Sequence, residues 1–155
     1  MSNPTTAERT SDRELVVTRT FDAPARIVFE AWTRAELFSQ WWPPKSLGMT
    51  LQSCQMDVRV GGGYRLEFGP DAANTMAFFG TYTEVTPPSR LVWTNDESDD
   101  GPVTTVTFEE KDGRTFVVLH ELHPSKAALD ANIGAADALP EQFAQLDALL
   151  PGLGA

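Results

Sequence analysis

Ala31-Trp32-Thr33-Arg34-Ala35-Glu36-Leu37-Phe38-Ser39-Gln40-Trp41-Trp42-Pro43-Pro44 places three of the chain's four tryptophans within eleven residues and ends on a proline pair. An apolar cluster this dense on a soluble, acidic chain has to be buried. It either closes a core or roofs a binding cavity. Its prolines set the end of whatever helix carries it, because neither can donate a backbone hydrogen bond and each constrains the residue before it.

Upstream of this stretch, Glu14 to Phe21 alternates β-branched and polar residues, the period of a half-buried strand. Asp22-Ala23-Pro24 then predicts a helix start, with Asp22 as cap and Pro24 in the first turn. Ile27, Val28, Ala31 and Trp32 form the apolar face of that helix. Thr33 is the expected cap of a second short helix through Phe38, with Trp41 and Trp42 behind it. Residues 1–12 are polar and read as a disordered tail without a secretory signal, leaving 13–151 as a single domain.

Downstream, the pattern is an antiparallel meander. Strands are expected over Thr50–Val60, Tyr64–Phe68, Met76–Val85, Arg90–Thr94, Val103–Glu109 and Arg114–Leu122. Turn chemistry separates them at Gly61-Gly62-Gly63, Gly69-Pro70-Asp71, Pro87-Pro88-Ser89 and Lys111-Asp112-Gly113, with a longer acidic loop from Asn95 to Gly101. From Ser125, a plausible N-cap, the period becomes helical: Leu129, Ile133, Ala136, Leu139, Phe143, Leu146 and Leu150. Pro140 must kink this helix or begin a second segment. The fold class is α+β: a curved antiparallel sheet of about seven strands around a long C-terminal helix, with two short helices between the first two strands.

The bulk numbers narrow the function. A formal charge of −10 argues against nucleic acid and anionic membranes. The single cysteine, Cys54, excludes an internal disulfide and fits a reducing, cytoplasmic setting. No apolar run reaches transmembrane length.

The ordered motifs resemble a known family. They are Arg19-Thr20-Phe21-Asp22-Ala23-Pro24, Val28-Phe29 with Ala31-Trp32-Thr33, Trp41-Trp42-Pro43, and Asp57, Arg59, Gly61-Gly62 and Tyr64. They continue through Gly80, Tyr82, Glu84-Val85, Pro87-Pro88, Arg90-Leu91-Val92 and Thr94 to the closing Glu141–Leu150 helix. The chain resembles proteins related to the activator of heat-shock protein 90 ATPase, within the START/Bet v 1-like (SRPBCC) superfamily. The resemblance implies a helix-grip fold with an elongated cavity between sheet and helix. Close members are mostly small bacterial proteins without an assigned reaction, and the superfamily spans lipid and hormone binders, cyclases and co-chaperone domains. Where relatives commonly carry Gly-Trp or Gly-Met, this chain has Ala138-Leu139, which alters the cavity wall.

Given that fold, Trp41, Trp42, Tyr64, Leu66, Phe68, Tyr82, Phe108, Leu139 and Phe143 are the candidate lining of an apolar pocket, with Arg59 and the Tyr82 hydroxyl among its polar groups. Trp32 reads as a core anchor, and Trp41 and Trp42 as a lid. Glu84 and Glu121 are further polar candidates. No catalytic residue, metal or cofactor is assigned. His120 and His123 diverge on a strand, and Asp96, Glu97, Asp99 and Asp100 lack the EF-hand order. Gly61-Gly62-Gly63 precedes a strand rather than a helix, so it reads as a bend and not a phosphate loop, with Asp57 and Arg59 as an ion pair beside it. Cys54 lacks a neighbouring base and reads as inert.

Three functions compete. The first is a binding protein for a small hydrophobic molecule, without catalysis and compatible with a homodimer. The second is a cyclase- or hydrolase-type enzyme in the same cavity, using an inward Glu121 or His120. The third is a co-chaperone-like interaction module, for which a chaperone partner is the least expected.

Overall fold

A computed structural model describes residues 5–43, 46, 48, 50–71, 73–96, 101–131 and 138–153. In chain order the strands are β1 (Thr6–Arg9), β2 (Glu14–Phe21), β3 (Thr50–Met56), β4 (Gly63–Asp71), β5 (Asn74–Thr86), β6 (Arg90–Thr94), β7 (Val103–Lys111) and β8 (Arg114–Leu122). The helices are α1 (Ala25–Thr33) and α2 (Ala35–Trp41) between β2 and β3, then α3 (Lys126–Ala131) and α4 (Leu139–Leu149), which runs into a 3-10 turn at Leu150–Gly152. One antiparallel sheet of eight strands runs in the order β1-β2-β8-β7-β6-β5-β4-β3. It curves around the C-terminal helix, as expected for the helix-grip class.

The eighth strand is β1, which lies in the stretch read as a disordered tail. Its residues pair with β2 from Thr6↔Thr18 to Arg9↔Leu15, and all four are exposed. Backbone pairing and the ion pair from Arg9 to Asp130 at 2.7 Å hold it at the sheet edge, so no apolar alternation announces it.

The inner face follows from alternation and register. Leu15, Val17, Arg19 and Phe21 point inward from β2. They stand opposite Glu121, Leu119, Val117 and Thr115 of β8, and Val106 and Phe108 of β7 continue the rows. On this face lie α1, packed on β7 and β8, and α4, packed on β2 and α2. Arg19 is the one inward arginine of β2. Its guanidinium, 7% exposed, reaches Asp147 of α4 at 2.8 Å and the Thr5 hydroxyl at 2.9 Å, clamping helix to sheet.

Helix capping differs from expectation. Asp22 instead pairs with Arg114 at 2.7 Å, and Pro24 occupies the N-cap of α1. The orphan Ala25 N–H is satisfied by the Glu110 carboxylate at 2.8 Å, from the end of β7. The Thr33 hydroxyl turns back to the Phe29 carbonyl, so Arg34 is the N-cap of α2. Ser125 does serve α3, its hydroxyl accepting from Ala128 N–H at 3.1 Å. Pro140 falls at the start of α4 rather than inside a continuous helix, because its missing donor costs nothing there. Ile133, Ala136, Pro44, Glu97, Asp99 and Asp100 lie outside the described residues.

Strand ends moved in two places. β3 stops at Met56, and the chain turns through 57–62 with Gly61 at φ +84°, a left-handed conformation suited to glycine. β4 continues through Gly69-Pro70 to Asp71, so the turn falls between Asp71 and Asn74. The β7–β8 hairpin turns on Asp112 (φ 55°) and Gly113 (φ 77°), the paired left-handed residues of a type I′ turn. At Gly80 of β5 a Cβ would sit 1.8 Å from the Thr94 carbonyl, so only glycine lets β5 pass this close to β6.

Candidate functional site

The tryptophan stretch folds back on itself through Trp32. Its ring, 1% exposed, lies 4.7 Å from Trp41, 6.0 Å from Trp42, Phe108 and Phe143, and 6.1 Å from Trp93. Most of these are edge-on contacts, the arrangement the ring quadrupoles favour. Trp41 is fully buried and its indole Nε1 donates to the Ala31 carbonyl at 2.9 Å. Trp42 is half-buried and stacks on Phe38 at 4.8 Å. The free carbonyls at the end of α2 are taken by α4: Gln145 Nε2 donates to Trp41 O at 2.7 Å and Pro43 O at 2.9 Å, and Gln142 Nε2 to Trp42 O. Those bonds tie the two helices into one wall.

The facing wall is the inner surface of β3, β4 and β5. Leu66 and Phe68 of β4 are buried and point toward the core. Directly paired residues share a face of the sheet. Cys54 and Phe78 flank Leu66, while Leu51 and Met76 flank Phe68, so all four belong to this inner face. They are not equally covered. Leu51, Cys54 and Met56 are half-buried, Phe78 is 36% exposed against Phe68, and Met76 is 60% exposed. An apolar mouth therefore opens at the β4–β5 end.

Deeper in, Tyr64, Tyr82 and Trp93 form a triangle of ring contacts at 5.8 to 6.5 Å. The Tyr64 hydroxyl lies 2.9 Å from both Thr94 O and Asn95 Oδ1. Burial pushes the Tyr82 hydroxyl well above its ordinary pKa, with the nearby Cys54 charge adding to it. Burial also raises the pKa of the Cys54 thiol, which favours its protonated form.

A row of paired residues crosses the same face: Tyr82, Trp93, Thr104, Glu121 and Leu15. Glu121 Oε1 lies 3.2 Å from Nε2 of His123, whose side chain is fully enclosed. His123 Nδ1 has no hydrogen-bond partner among the described residues. His120 sits on the opposite face, 2.8 Å from Glu14, and with the Ser11 hydroxyl it holds the Glu14 carboxyl below its usual range.

Of the ten expected lining residues, Trp41, Leu66, Phe68, Tyr82, Phe108, Leu139 and Phe143 are buried and Trp42 and Tyr64 half-buried around this interior. Arg59 is the exception. It belongs to the turn before Gly61, with a side chain 70% exposed and bound to Asp57 at 2.9 Å, so it offers the interior nothing. Trp41 is core rather than lid, because its indole is committed to Ala31. Trp93, Cys54, Met56, Met76, Phe78 and His123 join the inner face unannounced, while Glu121 lies there as an expected polar candidate. Cross-strand register, which sequence spacing alone does not give, is the signal that finds them. Glu84 pairs with Arg90 at 3.1 Å on the surface. On the outer face of β3–β5, an open groove of about 590 Å³ runs between Gln55, Asp57, Phe79 and Asp96, with Arg65 lying over the Phe79 ring at 5.7 Å. Among the described residues no group of three metal-ligating side chains occurs and no helix is long and apolar enough to cross a membrane.

A sheet curved around a C-terminal helix, with aromatic residues packed on the faces between them, defines a helix-grip domain of the START/Bet v 1-like class. Residues 22–151 match the family described as Activator of Hsp90 ATPase homolog 1-like protein, and the chain belongs to that family. Its structure is similar to a protein of Nitrosomonas europaea (20% identity, 94% of this chain and 98% of that one, TM-score 0.84). It is also similar to a protein of Rhodobacter sphaeroides (22%, 96% and 99%, TM-score 0.85) and to one of Mycobacterium smegmatis (24%, 95% and 97%, TM-score 0.82). At these identities the likeness is one of fold. No curated protein matches the chain.

Proposed function

We propose that this protein binds a small hydrophobic molecule between the inner face of β3–β5 and the wall made by α2 and α4. The observation that carries the reading is the uneven burial of one apolar face. Leu66 and Phe68 are covered, while Met76 and Phe78, on the same face and adjacent strand, stand 60% and 36% open. Exposed apolar side chains continuous with a core are a common mark of a binding entrance. Covering one such side chain contributes on the order of 1.5–3 kcal/mol.

The test is thermal unfolding with a panel of fatty acids, sterols and naphthalene derivatives. A true ligand at 100 times its Kd adds about 2.7 kcal/mol, which for a chain this size raises Tm by roughly 5–10 °C. Phe143→Trp, which adds bulk from α4, is expected to abolish the shift. A panel that leaves Tm unmoved, with no retained small molecule in native mass spectra, would sink the proposal.

A second reading has its own observation. Glu121 orienting an enclosed His123, one of whose ring nitrogens has no partner among the described residues, is a base-and-orienter arrangement of the kind that acid–base catalysis uses. It replaces His120, which faces outward. Turnover of apolar esters that disappears in His123→Asn, with ligand binding retained, would support a reaction in the same cavity. Equal hydrolysis by both proteins would dismiss it.

A further inference from the structure

We infer that Trp32 Nε1 is the hydrogen-bond donor that orients the bound molecule, and that this molecule is neutral and carries an acceptor oxygen within an otherwise apolar frame. The inference rests on the proposed cavity and narrows what it holds.

Trp32 is 1% exposed, and its indole N–H has no hydrogen-bond partner among the described residues. Leaving such a donor unpaired is costly, and native proteins rarely do it without a use for the group. The contrast with Trp41 is local. Nine residues away, on the next helix and packed against the same ring, the Trp41 indole reaches the Ala31 carbonyl. The backbone here can satisfy an indole, and it leaves Trp32 open. Trp32 is also one ring removed from partial exposure, since its neighbours Trp42 and Trp93 are both half-buried.

The surroundings decide the chemistry of the acceptor. A carboxylate placed among these rings would need a cation. The inward arginine of β2, Arg19, is already engaged by Asp147 and Thr5, and Arg59 is held outside by Asp57. The chain's charge of −10 further disfavours an anion. A ketone, ester, ether or hydroxyl oxygen meets the requirement without a counter-ion. The low dielectric of the aromatic enclosure strengthens that single bond.

The probes are acetylnaphthalene and its oxygen-free counterpart isopropylnaphthalene, titrated into protein labelled with nitrogen-15. The four tryptophan indole signals are assigned from single Trp→Phe variants. With acetylnaphthalene the Trp32 indole proton is expected to move downfield, while that of Trp41, already bonded, stays. Isopropylnaphthalene is expected to bind about fivefold to tenfold more weakly, the worth of one neutral hydrogen bond, without the downfield shift. Trp32→Phe removes the preference between the two. Should that variant not fold, the indole signal of the unaltered protein decides alone. Equal binding of both probes with a stationary Trp32 signal overturns the inference and leaves the hydrophobic-binding reading standing. Failure of both probes to bind overturns the inference, and the binding reading falls with it only if the thermal panel also leaves Tm unmoved.

Discussion

Removing the Asp147 carboxylate is expected to loosen the C-terminal helix from the sheet. Asp147 sits on α4 and Arg19 on β2, and their 2.8 Å contact spans the two walls. The Arg19 side chain is 7% exposed and its Nε already lacks a hydrogen-bond partner among the described residues, so Asp147→Ala strands a charge that water reaches poorly. Breaking a fully buried pair from one side costs roughly 3–5 kcal/mol. Asp147 keeps 23% of its side chain in solvent, which admits some water and lowers the expected loss to about 2–3 kcal/mol. At this chain length that is a fall in Tm of roughly 5–10 °C. The double variant Arg19→Met/Asp147→Leu removes both charges and replaces them with apolar volume. Its stability should return to within about 1 kcal/mol of the parent. Urea unfolding of the parent, Arg19→Met, Asp147→Leu and the double variant closes the thermodynamic cycle. Simple additivity of the two single losses would show that the pair is geometry without energy, and the reasoning would fail.

Glu110→Ala should cost about 1 kcal/mol through loss of the carboxylate that caps Ala25, measured by the same unfolding; no change would mean that water serves the α1 terminus equally well. Tyr82 has a raised pKa because it is buried, so the neutral form is favoured on folding and that stabilisation is lost as pH rises. Its phenolate absorbance, isolated by comparison with Tyr82→Phe, should appear only as the protein unfolds in alkali. Hydrogen bonds from the Ser46 hydroxyl and backbone lower the Glu141 pKa, and those from Arg9 and then Lys126 lower that of Asp130. Depressed carboxyls contribute stability above their unfolded pKa and lose it as pH falls through the folded one. Acid unfolding should therefore begin just below the ordinary carboxylate range, and Ser46→Ala should make it shallower; an unchanged acid limb would refute the Glu141 contribution.

Local periodicity carried most of the fold. Glu14–Phe21 alternates regularly enough to read as a half-buried strand, and the Lys111-Asp112-Gly113 turn has the backbone its sequence demands. What escaped was set by partners distant in the chain. Thr6–Arg9 has no pattern of its own and becomes a strand only because β2 offers an edge. Trp41 looked like a lid because its role depends on where Trp32 and the glutamines of α4 arrive. Asp22 has the right chemistry to cap α1, yet Arg114 claims it and Glu110 from a remote hairpin takes its place. For the site, most of the aromatic residues expected to line a pocket lie buried or half-buried in the interior. Arg59 was misplaced because β3 ends at Met56 and the turn through 57–62 leaves its side chain in solvent beside Asp57. His123 was discounted because spacing along one strand does not reveal that a residue just past the end of β8 is buried.

The pairing of β2 with β8 has a consequence for how the protein is made. Glu14 meets Leu122 and Phe21 meets Thr115, so the strand synthesised near the start waits for one synthesised near the end. The helix carrying Trp32 waits as well, since it packs on β7 and β8. Contacts this distant in the chain make folding slow and leave apolar surface open in the interim. On the ribosome, nascent chains halted before β8 emerges should remain protease-sensitive across residues 25–43, and those halted after α4 should resist. The tryptophans that knit the finished interior are then the part of the newborn chain most in need of shelter.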